Sequence, residues 1–445
     1  MDLPLPEAEI FVGLMNTRLD GQIERLCTQF CDLWNRMSDS PIPSGRQYSS
    51  VEKKENELRM EGLLRDMQRH PTNEDAVARR ISRFRDFIRD LVLETVDERT
   101  RFDINTMLRT FSDAGDDFVR KSREFDGQLR FDGIFQSLRN LWIINSMQEA
   151  FGIPVCTNPS AVAYSLLYTY TDNFLDSAEI SAVEKRDFSR RFGMRLAGLT
   201  VTESTELFSK ISSLVSLIEG EYPRTLYPGV FASLLAIHRA QQGSLQQRPD
   251  TRNDGQPGIL RLSVEKGGTS VVADAFVAKG RLTEAETSFA FGYGAFLQFV
   301  DDLQDVDEDR AKGSETLFTQ ASARGSLDAT TNRLIHYLRE IMLKTTPLEG
   351  PRSQALTELI LQGSLGLILE SIALAPEKFS AGYVRRAELL SPLGFEAIRD
   401  MHSRRPSMER DFDTYIKSPG SHTPLSTNDD LQEEPSALRF QSASK

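Results

Sequence analysis

The amino-acid sequence predicts an all-α protein. Apolar residues recur at helical spacing in many segments, for example at Ile81, Phe84, Ile88 and Leu91, whereas strict alternation of apolar and polar residues is scarce. Residues that typically start and stop helices delimit several of these segments. The chain has 445 residues, of which 39% are hydrophobic and 27% are charged, so it can build a large core. Its 28 glycines and 19 prolines are too few for a collagen-like or wholly disordered chain.

The N-terminal part of the chain alternates predicted helices with a polar loop. Residues 1–37 carry apolar side chains on one face and should form a helix, and residues 38–50 have the composition of a loop. Residues 74–150 should form about three amphipathic helices, because their many arginines alternate with acids on solvated faces. Asn158 followed by Pro159 is the pattern of a capped helix start, so another helix should begin there.

Six further helices are expected in the C-terminal part. They cover residues 204–219, 228–242, 263–280, 283–306, 327–345 and 353–375. Gly280 should close the third of them, and Thr283 with Glu286 forms a capping box that opens the fourth. The last one contains an apolar run interrupted by Gln362 and Glu370, which is too short for a membrane span and predicts a buried core helix.

The charge of the chain argues against a nucleic-acid partner. Lys and Arg number 53 and Asp and Glu number 65, and the resulting net charge of -12 repels a phosphate backbone. The first residues lack the cationic and apolar regions of a secretory signal. The three cysteines, Cys27, Cys31 and Cys156, are too few for a disulfide framework. We therefore expect a soluble cytoplasmic protein without a transmembrane anchor.

Carboxylates emerge from the ends of two strongly apolar predicted helices. The first acid cluster consists of Asp172, Asp176 and Glu179, and the second of Asp301, Asp302 and Asp305. In each cluster the helical spacing places the carboxylates on one side of the chain. Because unpaired buried carboxylates are costly, each cluster needs a cation.

Lys266 and Lys312 supply two positive charges for at least six acids. An excess of hard oxygen ligands favours Mg2+ ions that keep waters and bridge to a phosphate. The alternative interpretation is that each cluster is an ordinary solvated helix end. The occurrence of two such clusters on two apolar helices favours the metal site.

Three segments together resemble the class I isoprenoid synthases, which comprise trans-prenyl diphosphate synthases and terpene synthases. They are the DNFLD segment that starts at Asp172, the KGGT segment at Lys266, and LQFVDDLQDVDED followed by KGSETLF. In that family a Gln precedes the second acidic motif by three residues, as Gln298 does here, and a downstream Lys contacts diphosphate, which Lys312 matches. Gln241 or Gln242 matches a family Gln on the helix before Lys266. The resemblance covers about residues 155–325.

The resemblance implies a helical bundle around a central cavity. Residues 1–110 would be an N-terminal helical extension, residues 111–417 the synthase core and residues 418–445 a disordered tail. The resemblance also implies that three Mg2+ ions are bound. Their ligands would be Asp172, Asp176, Asp301, Asp302 and Asp305. The catalytic residues would be Lys266, Lys312 and Gln298, and the substrate contacts would come from Lys266, Lys312, Gln242, Phe174 and Phe299. Ordinary core packing is the alternative role of the two phenylalanines.

The first motif is DxxxD, whereas chain-elongating enzymes of the family carry DDxxD with a nearby pair of arginines. This difference favours a terpene synthase that ionises a C15 to C35 prenyl diphosphate and releases pyrophosphate to give a cyclic or linear terpene. Two alternatives stay open: a trans-prenyl diphosphate synthase that adds isopentenyl diphosphate, and a non-catalytic helical protein that binds a lipid diphosphate or scaffolds a partner. The resemblance also leaves open a homodimer and a loose association with a membrane surface.

Overall fold

The structure is a computed structural model that describes nine parts of the chain. These are residues 5–41, 45–68, 83, 86–94, 96–177, 179–202, 205–244, 258–344 and 352–404, without the side chains of residues 5–17, 67–68, 131, 176 and 344. Within these parts the regular secondary structure is helical and no strand occurs. The predicted all-α class is therefore confirmed. The predicted disordered tail at 418–445 lies outside the described residues.

Most of the described residues belong to α-helices. In order they are α1 (Leu5–Arg36), α2 (Ser50–Gln68), α3 (Glu98–Phe125), α4 (Phe131–Ala150), α5 (Pro159–Asp176), α6 (Ala182–Leu196), α7 (Glu206–Glu221), α8 (Pro228–Ser244), α9 (Ile259–Lys279), α10 (Glu284–Gln304), α11 (Val306–Lys312), α12 (Leu317–Arg324), α13 (Asp328–Lys344), α14 (Ser353–Leu374) and α15 (Ala381–Leu389). Residues 86–93 and 395–404 are also helical, and Pro376–Lys378 forms a short 3-10 helix.

Local sequence signals set several of these boundaries. The Asn158 side chain accepts a hydrogen bond of 2.7 Å from the Ala161 N–H and caps α5. Thr283 and Glu286 exchange both hydrogen bonds of a capping box at the start of α10. Gly280 closes α9 in the left-handed conformation, with a φ of 76° that a residue with a Cβ atom rarely adopts. The three predicted boundaries are confirmed.

Other boundaries differ from the prediction or are only partly described. The predicted helix over 283–306 is interrupted at Asp305, because α10 ends at Gln304 and α11 starts at Val306. Of the three helices expected within 74–150, the structure describes α3 and α4 together with the helical residues 86–93, and the start of that range lies outside the described residues.

Helix α9 is the centre of the bundle, since it packs against α1, α4, α5, α8 and α10. Helix α1 belongs to the same apolar core: the Phe30 ring lies 5.8 Å from the Phe291 ring and the Trp34 ring 4.3 Å from the Phe299 ring. The N-terminal helix thus packs directly on the helices that carry the KGGT segment and the second acid cluster.

Helix α14 is less buried than predicted. It has 22 residues, and its most apolar 18-residue window has a mean hydropathy of 1.4. By length and composition the helix is therefore able to cross a membrane, and the expectation that it is too short for a span is wrong. Of its most apolar window, 44% is buried in the protein. Gly363, Gly366 and Leu367 are exposed on the other side.

Candidate active site

The second acid cluster lies at the C-terminal end of α10 and faces α9. The Asp302 carboxylate is buried and accepts hydrogen bonds from Gln298 Nε2 at 2.9 Å and from Ser263 Oγ at 3.0 Å. Burial raises the pKa of Asp302 to about 7, and the neighbouring Asp301 carboxylate adds to the shift, whereas Lys266 opposes it. The cluster therefore holds more negative charge than its own hydrogen bonds and lysine offset.

Asp309 joins this cluster, although the sequence did not single it out as a ligand. Burial raises the pKa of Asp305 and of Asp309 to about 6, and Asp301 repels both of them. Lys266 and Lys312 lower the pKa of Asp309, so both lysines of the predicted site lie close enough to interact with its carboxylate. Asp309 follows Asp305 by four residues, which is the spacing that could have identified it.

The first acid cluster lies at the C-terminal end of α5. Asp172 accepts a hydrogen bond of 3.0 Å from Gln241 Nε2 on α8 and another from the Tyr168 hydroxyl. The pKa of Tyr168 is raised well above its usual value by the Asp172 carboxylate first, then by burial and by the Asp301 carboxylate. Asp172 and Asp301 thus act on the same hydroxyl group, although four helices separate them in the chain.

Asp176 forms the last residue of α5, and its side chain lies outside the described part of the structure. Among the described side chains, no group of three or more His, Cys, Asp or Glu residues is arranged so that it could hold a metal ion. The four predicted metal ligands whose side chains are described therefore do not form a closed cage.

The two predicted glutamine positions are separated by the structure. Gln241 bonds to Asp172, as described above, whereas Gln242 Nε2 donates to Ser189 Oγ at 2.6 Å and lies 3.4 Å from His238 Nε2. Burial lowers the pKa of His238 to about 4, so this ring is neutral at pH 7 and serves the packing of α6 on α8. The structure brings Gln241, and not Gln242, to the acid clusters.

The predicted aromatic contacts are packed in the core. Phe174 stacks on Phe188 at 4.3 Å between ring centroids. Phe299 is fully buried between α1 and α13, where it contacts Trp34 at 4.3 Å and Tyr337 at 5.5 Å. Both residues therefore make the packing contacts that the alternative interpretation expects. Lys312 bonds to Glu308 at 2.6 Å one turn earlier in α11.

A hollow lies between α5, α6 and α8, and two of its wall residues are the hydrogen-bond partners of Asp172. Its volume is about 30 Å³, and its walls include Tyr164, Tyr168 and Gln241. This space holds about one or two water molecules. Among the described residues at this place, the central cavity that the resemblance implies is reduced to a small hollow, because large side chains such as Phe192 fill the space between α5, α6 and α8.

Arg139 is a further residue that sequence reasoning did not identify. It is exposed on α4, and its positive charge lowers the pKa of the Tyr168 hydroxyl against the effect of the two acid clusters. Arg139 is therefore a third cation near the acids, beside Lys266 and Lys312. Its helix precedes the first acidic motif, and no local pattern in the sequence marks it.

The comparisons with known proteins return no match, whether with family models, with curated proteins or with solved structures.

Proposed function

We propose that this protein is a class I terpene synthase that ionises a prenyl diphosphate with the help of Mg2+ and releases pyrophosphate. The observation that carries the proposal is the position of Tyr168, whose hydroxyl is under the influence of both Asp172 and Asp301. Acids that end two apolar helices meet at one end of the bundle, with Lys266 among them. The function rests on this convergence together with the resemblance of the three sequence segments.

The donor set fits Mg2+. Asp172, Asp301, Asp302, Asp305 and Asp309 offer only hard oxygen ligands, and the raised pKa values in the second cluster reflect burial and uncompensated negative charge. Mg2+ commonly uses one or two carboxylates together with waters and substrate phosphates. The lack of a closed cage of three ligands among the described residues is compatible with this mode of binding.

When bound, Mg2+ would supply Lewis-acid neutralisation of the diphosphate charge. The cationic side chains of Lys266, Lys312 and Arg139 would hold the diphosphate between the two acid clusters and stabilise the charge that develops on it. The bond between the first carbon of the prenyl chain and the diphosphate oxygen breaks, and its electron pair leaves with the diphosphate. The remaining allylic cation loses a proton to the released pyrophosphate, after ring closure or directly, to give the hydrocarbon.

The hydrocarbon chain requires space below the acid clusters. The hollow lined by Tyr164 and Tyr168 is the natural position for the chain. Its volume of about 30 Å³ is too small for fifteen carbon atoms, so the side chains around it have to move when the substrate enters. Aromatic faces in such a water-poor space stabilise a cation through their quadrupoles.

The direct test is a measurement of pyrophosphate release from prenyl diphosphates of C15 to C35, with and without Mg2+, together with an analysis of the hydrocarbon products. We expect Mg2+-dependent release, which Asp172→Ala and Asp301→Ala abolish or reduce strongly. Asp307→Asn is the matched control, because Asp307 belongs to the same acidic run but pairs with Lys378 on another element. Release that is unchanged in both aspartate variants would contradict the proposal.

The same panel separates the alternatives. A longer prenyl diphosphate formed only when isopentenyl diphosphate is added would identify a chain-elongating synthase. Tight binding of an unreactive thiolo-diphosphate analogue, without a product from any true substrate, would identify a non-catalytic binding protein.

A further inference from the structure

A second and larger cavity lies between α2, the helical residues 86–93 and the first turns of α3. Its volume is about 460 Å³, which is within the range of sites for small organic ligands. Its walls are formed by Arg59, Arg89, Asp90, Leu93, Glu94, Arg101, Asn105 and Arg109. Among the wall residues that the structure describes, four arginines against two acids make this cavity basic in a protein whose net charge is -12.

The two described acids of this cavity are already paired with arginines outside α3. Asp90 pairs with Arg59 at 2.8 Å and with Arg89 at 3.3 Å. The Glu94 carboxylate lies 3.8 Å from Arg46, which also donates a hydrogen bond of 2.6 Å to the Glu94 carbonyl oxygen. No carboxylate among the described wall residues is therefore left to neutralise the arginines of α3.

Arg101 and Arg109 supply the surplus positive charge. Neither of them makes an ion pair with any residue that the structure describes. They are eight residues apart on α3, with Asn105 midway between them, so the three side chains form one row about 12 Å long.

The basic cavity is remote from the acid clusters. The middle of α3 contacts the start of α5, because Thr157 Oγ1 donates a hydrogen bond of 2.7 Å to the Ala114 carbonyl oxygen. Asp172 lies at the opposite end of α5, about 22 Å from that contact. Arg101 and Arg109 precede Ala114 on α3 and are therefore farther still from Asp172. The diphosphate of a substrate bound at the acid clusters cannot reach this cavity.

We infer that this cavity binds an organic anion that carries two or more phosphate groups. Arginine is suited to phosphate because its planar guanidinium group donates two parallel hydrogen bonds. Two guanidinium groups with an amide between them form a row that can contact an extended anion along its whole length. A single small ion would contact only part of this row. The head group of a multiply phosphorylated lipid and a soluble diphosphate share this chemistry. The site is distinct from the proposed synthase site and does not depend on it.

The test measures the binding of inorganic pyrophosphate to the full chain by isothermal titration calorimetry, in the presence of EDTA so that no divalent ion links the ligand to the acid clusters. We expect one pyrophosphate per chain and an affinity at least about tenfold lower in Arg101→Gln/Arg109→Gln. The control is Arg99→Gln/Arg324→Gln, which removes the same charge from exposed positions outside the cavity and should leave the affinity unchanged. Equal affinities in the wild type and in Arg101→Gln/Arg109→Gln, or no binding to the wild type, would overturn the inference.

Asn105→Asp provides a second variant that keeps both arginines and adds a negative charge to the row. It should also weaken pyrophosphate binding, and it tests the inference if the double arginine variant does not fold.

A second experiment measures binding of the protein to phosphatidylcholine vesicles with and without a phosphatidylinositol bisphosphate. If the protein is retained on the vesicles with the bisphosphate but not on those without it, and if Arg101→Gln/Arg109→Gln abolishes this retention, the ligand is a lipid head group. If the protein binds pyrophosphate but neither type of vesicle, the ligand is a soluble anion.

Discussion

Gln241 on α8 donates a hydrogen bond of 3.0 Å to the Asp172 carboxylate on α5, whereas its sequence neighbour Gln242 bonds to Ser189 at 2.6 Å. This hydrogen bond comes from a neighbouring helix and holds one carboxylate oxygen of Asp172 in place. Residues that orient a metal-binding carboxylate in this way contribute strongly to metal affinity. The glutamine of the sequence pattern is therefore expected to position Asp172.

The first prediction concerns Gln241→Leu. The substitution removes the hydrogen bond to Asp172, so the Mg2+ concentration that gives half-maximal pyrophosphate release should rise by about 10- to 100-fold. Gln242→Leu is the matched control on the same helix and should change this concentration much less, because Gln242 bonds to Ser189. A larger effect of Gln242→Leu would instead support the direct substrate contact that the sequence predicted for Gln242.

The second prediction concerns the pH dependence of Mg2+ binding. The pKa of Asp302 is about 7 and that of Asp305 and Asp309 about 6, so these groups are partly protonated in mildly acidic solution. Mg2+ requires ionised carboxylates and displaces these protons. We therefore expect Mg2+ to raise the melting temperature more at a pH of about 8 than at about 5.5.

Asp302→Asn should weaken this pH dependence, because it replaces the carboxyl group with the highest of the three pKa values by an amide that does not titrate. Asp307→Asn serves as the control, since Asp307 pairs with Lys378. A stabilisation by Mg2+ that is the same at both pH values would show that these carboxyl groups do not bind the ion.

The helices and much of the polar site could be predicted from sequence because their signals are local. Asn158, Thr283 and Gly280 end or begin helices through contacts within four residues, and the structure confirms each of them. The acid clusters were also found locally, since they follow apolar helical segments. Asp309 and Asp305 lie one turn apart, so local spacing could have included Asp309 as well.

Relationships between distant segments could not be predicted in this way. Gln241 and Gln242 are equivalent by sequence pattern, and only the packing of α8 on its neighbours decides which of them reaches Asp172. Phe299 is adjacent to the acid motif in sequence, but its ring turns to Trp34 in α1. The small size of the hollow between α5, α6 and α8 likewise depends on how side chains from several helices fill the interior.

The third prediction concerns Asp274, which is fully buried on α9. Its carboxyl group accepts a hydrogen bond of 2.9 Å from Asn140, and its Oδ2 atom has no hydrogen-bond partner among the described residues. Burial raises the pKa of Asp274 well above its usual value, so the folded protein holds this group neutral. In the unfolded chain the same group ionises near a pH of about 4.

Because the pKa of Asp274 is higher in the folded protein than in the unfolded chain, the protein loses stability as the pH rises. The stabilisation that a neutral Asp274 contributes is complete below a pH of about 4 and is lost as the pH rises toward the folded-state pKa, by up to about 1.4 kcal/mol per pH unit. Asp274→Asn removes this titration, so the variant should be more stable than the wild type at pH 7 and should lose less stability as the pH rises. Urea unfolding at several pH values measures both effects. Asp113→Asn on the exposed side of α3 is the control, and an identical pH dependence in wild type and Asp274→Asn would refute the prediction.

The fourth prediction concerns the contact between α9 and α10 at Gly267 and Gly294. A Cβ atom added to either glycine would overlap the carbonyl oxygen of the other, so the two backbones touch directly. Gly267 thus allows α10 to approach α9, and this contact sets the distance between Lys266 on α9 and the acids at the end of α10.

Gly294→Ala should therefore push the two helices apart and destabilise the protein by about 3 kcal/mol or more, a cost typical of severe overpacking. The same shift should move Lys266 away from Asp309, so pyrophosphate release should fall even at temperatures where the variant stays folded. Gly220→Ala in α7 is the matched control, since nothing lies within 4 Å of the added methyl group. That control should be stabilised by about 0.5–1 kcal/mol, because alanine is the better helix former. Urea denaturation of both variants gives the comparison, and equal stabilities would mean that α9 and α10 can separate without cost.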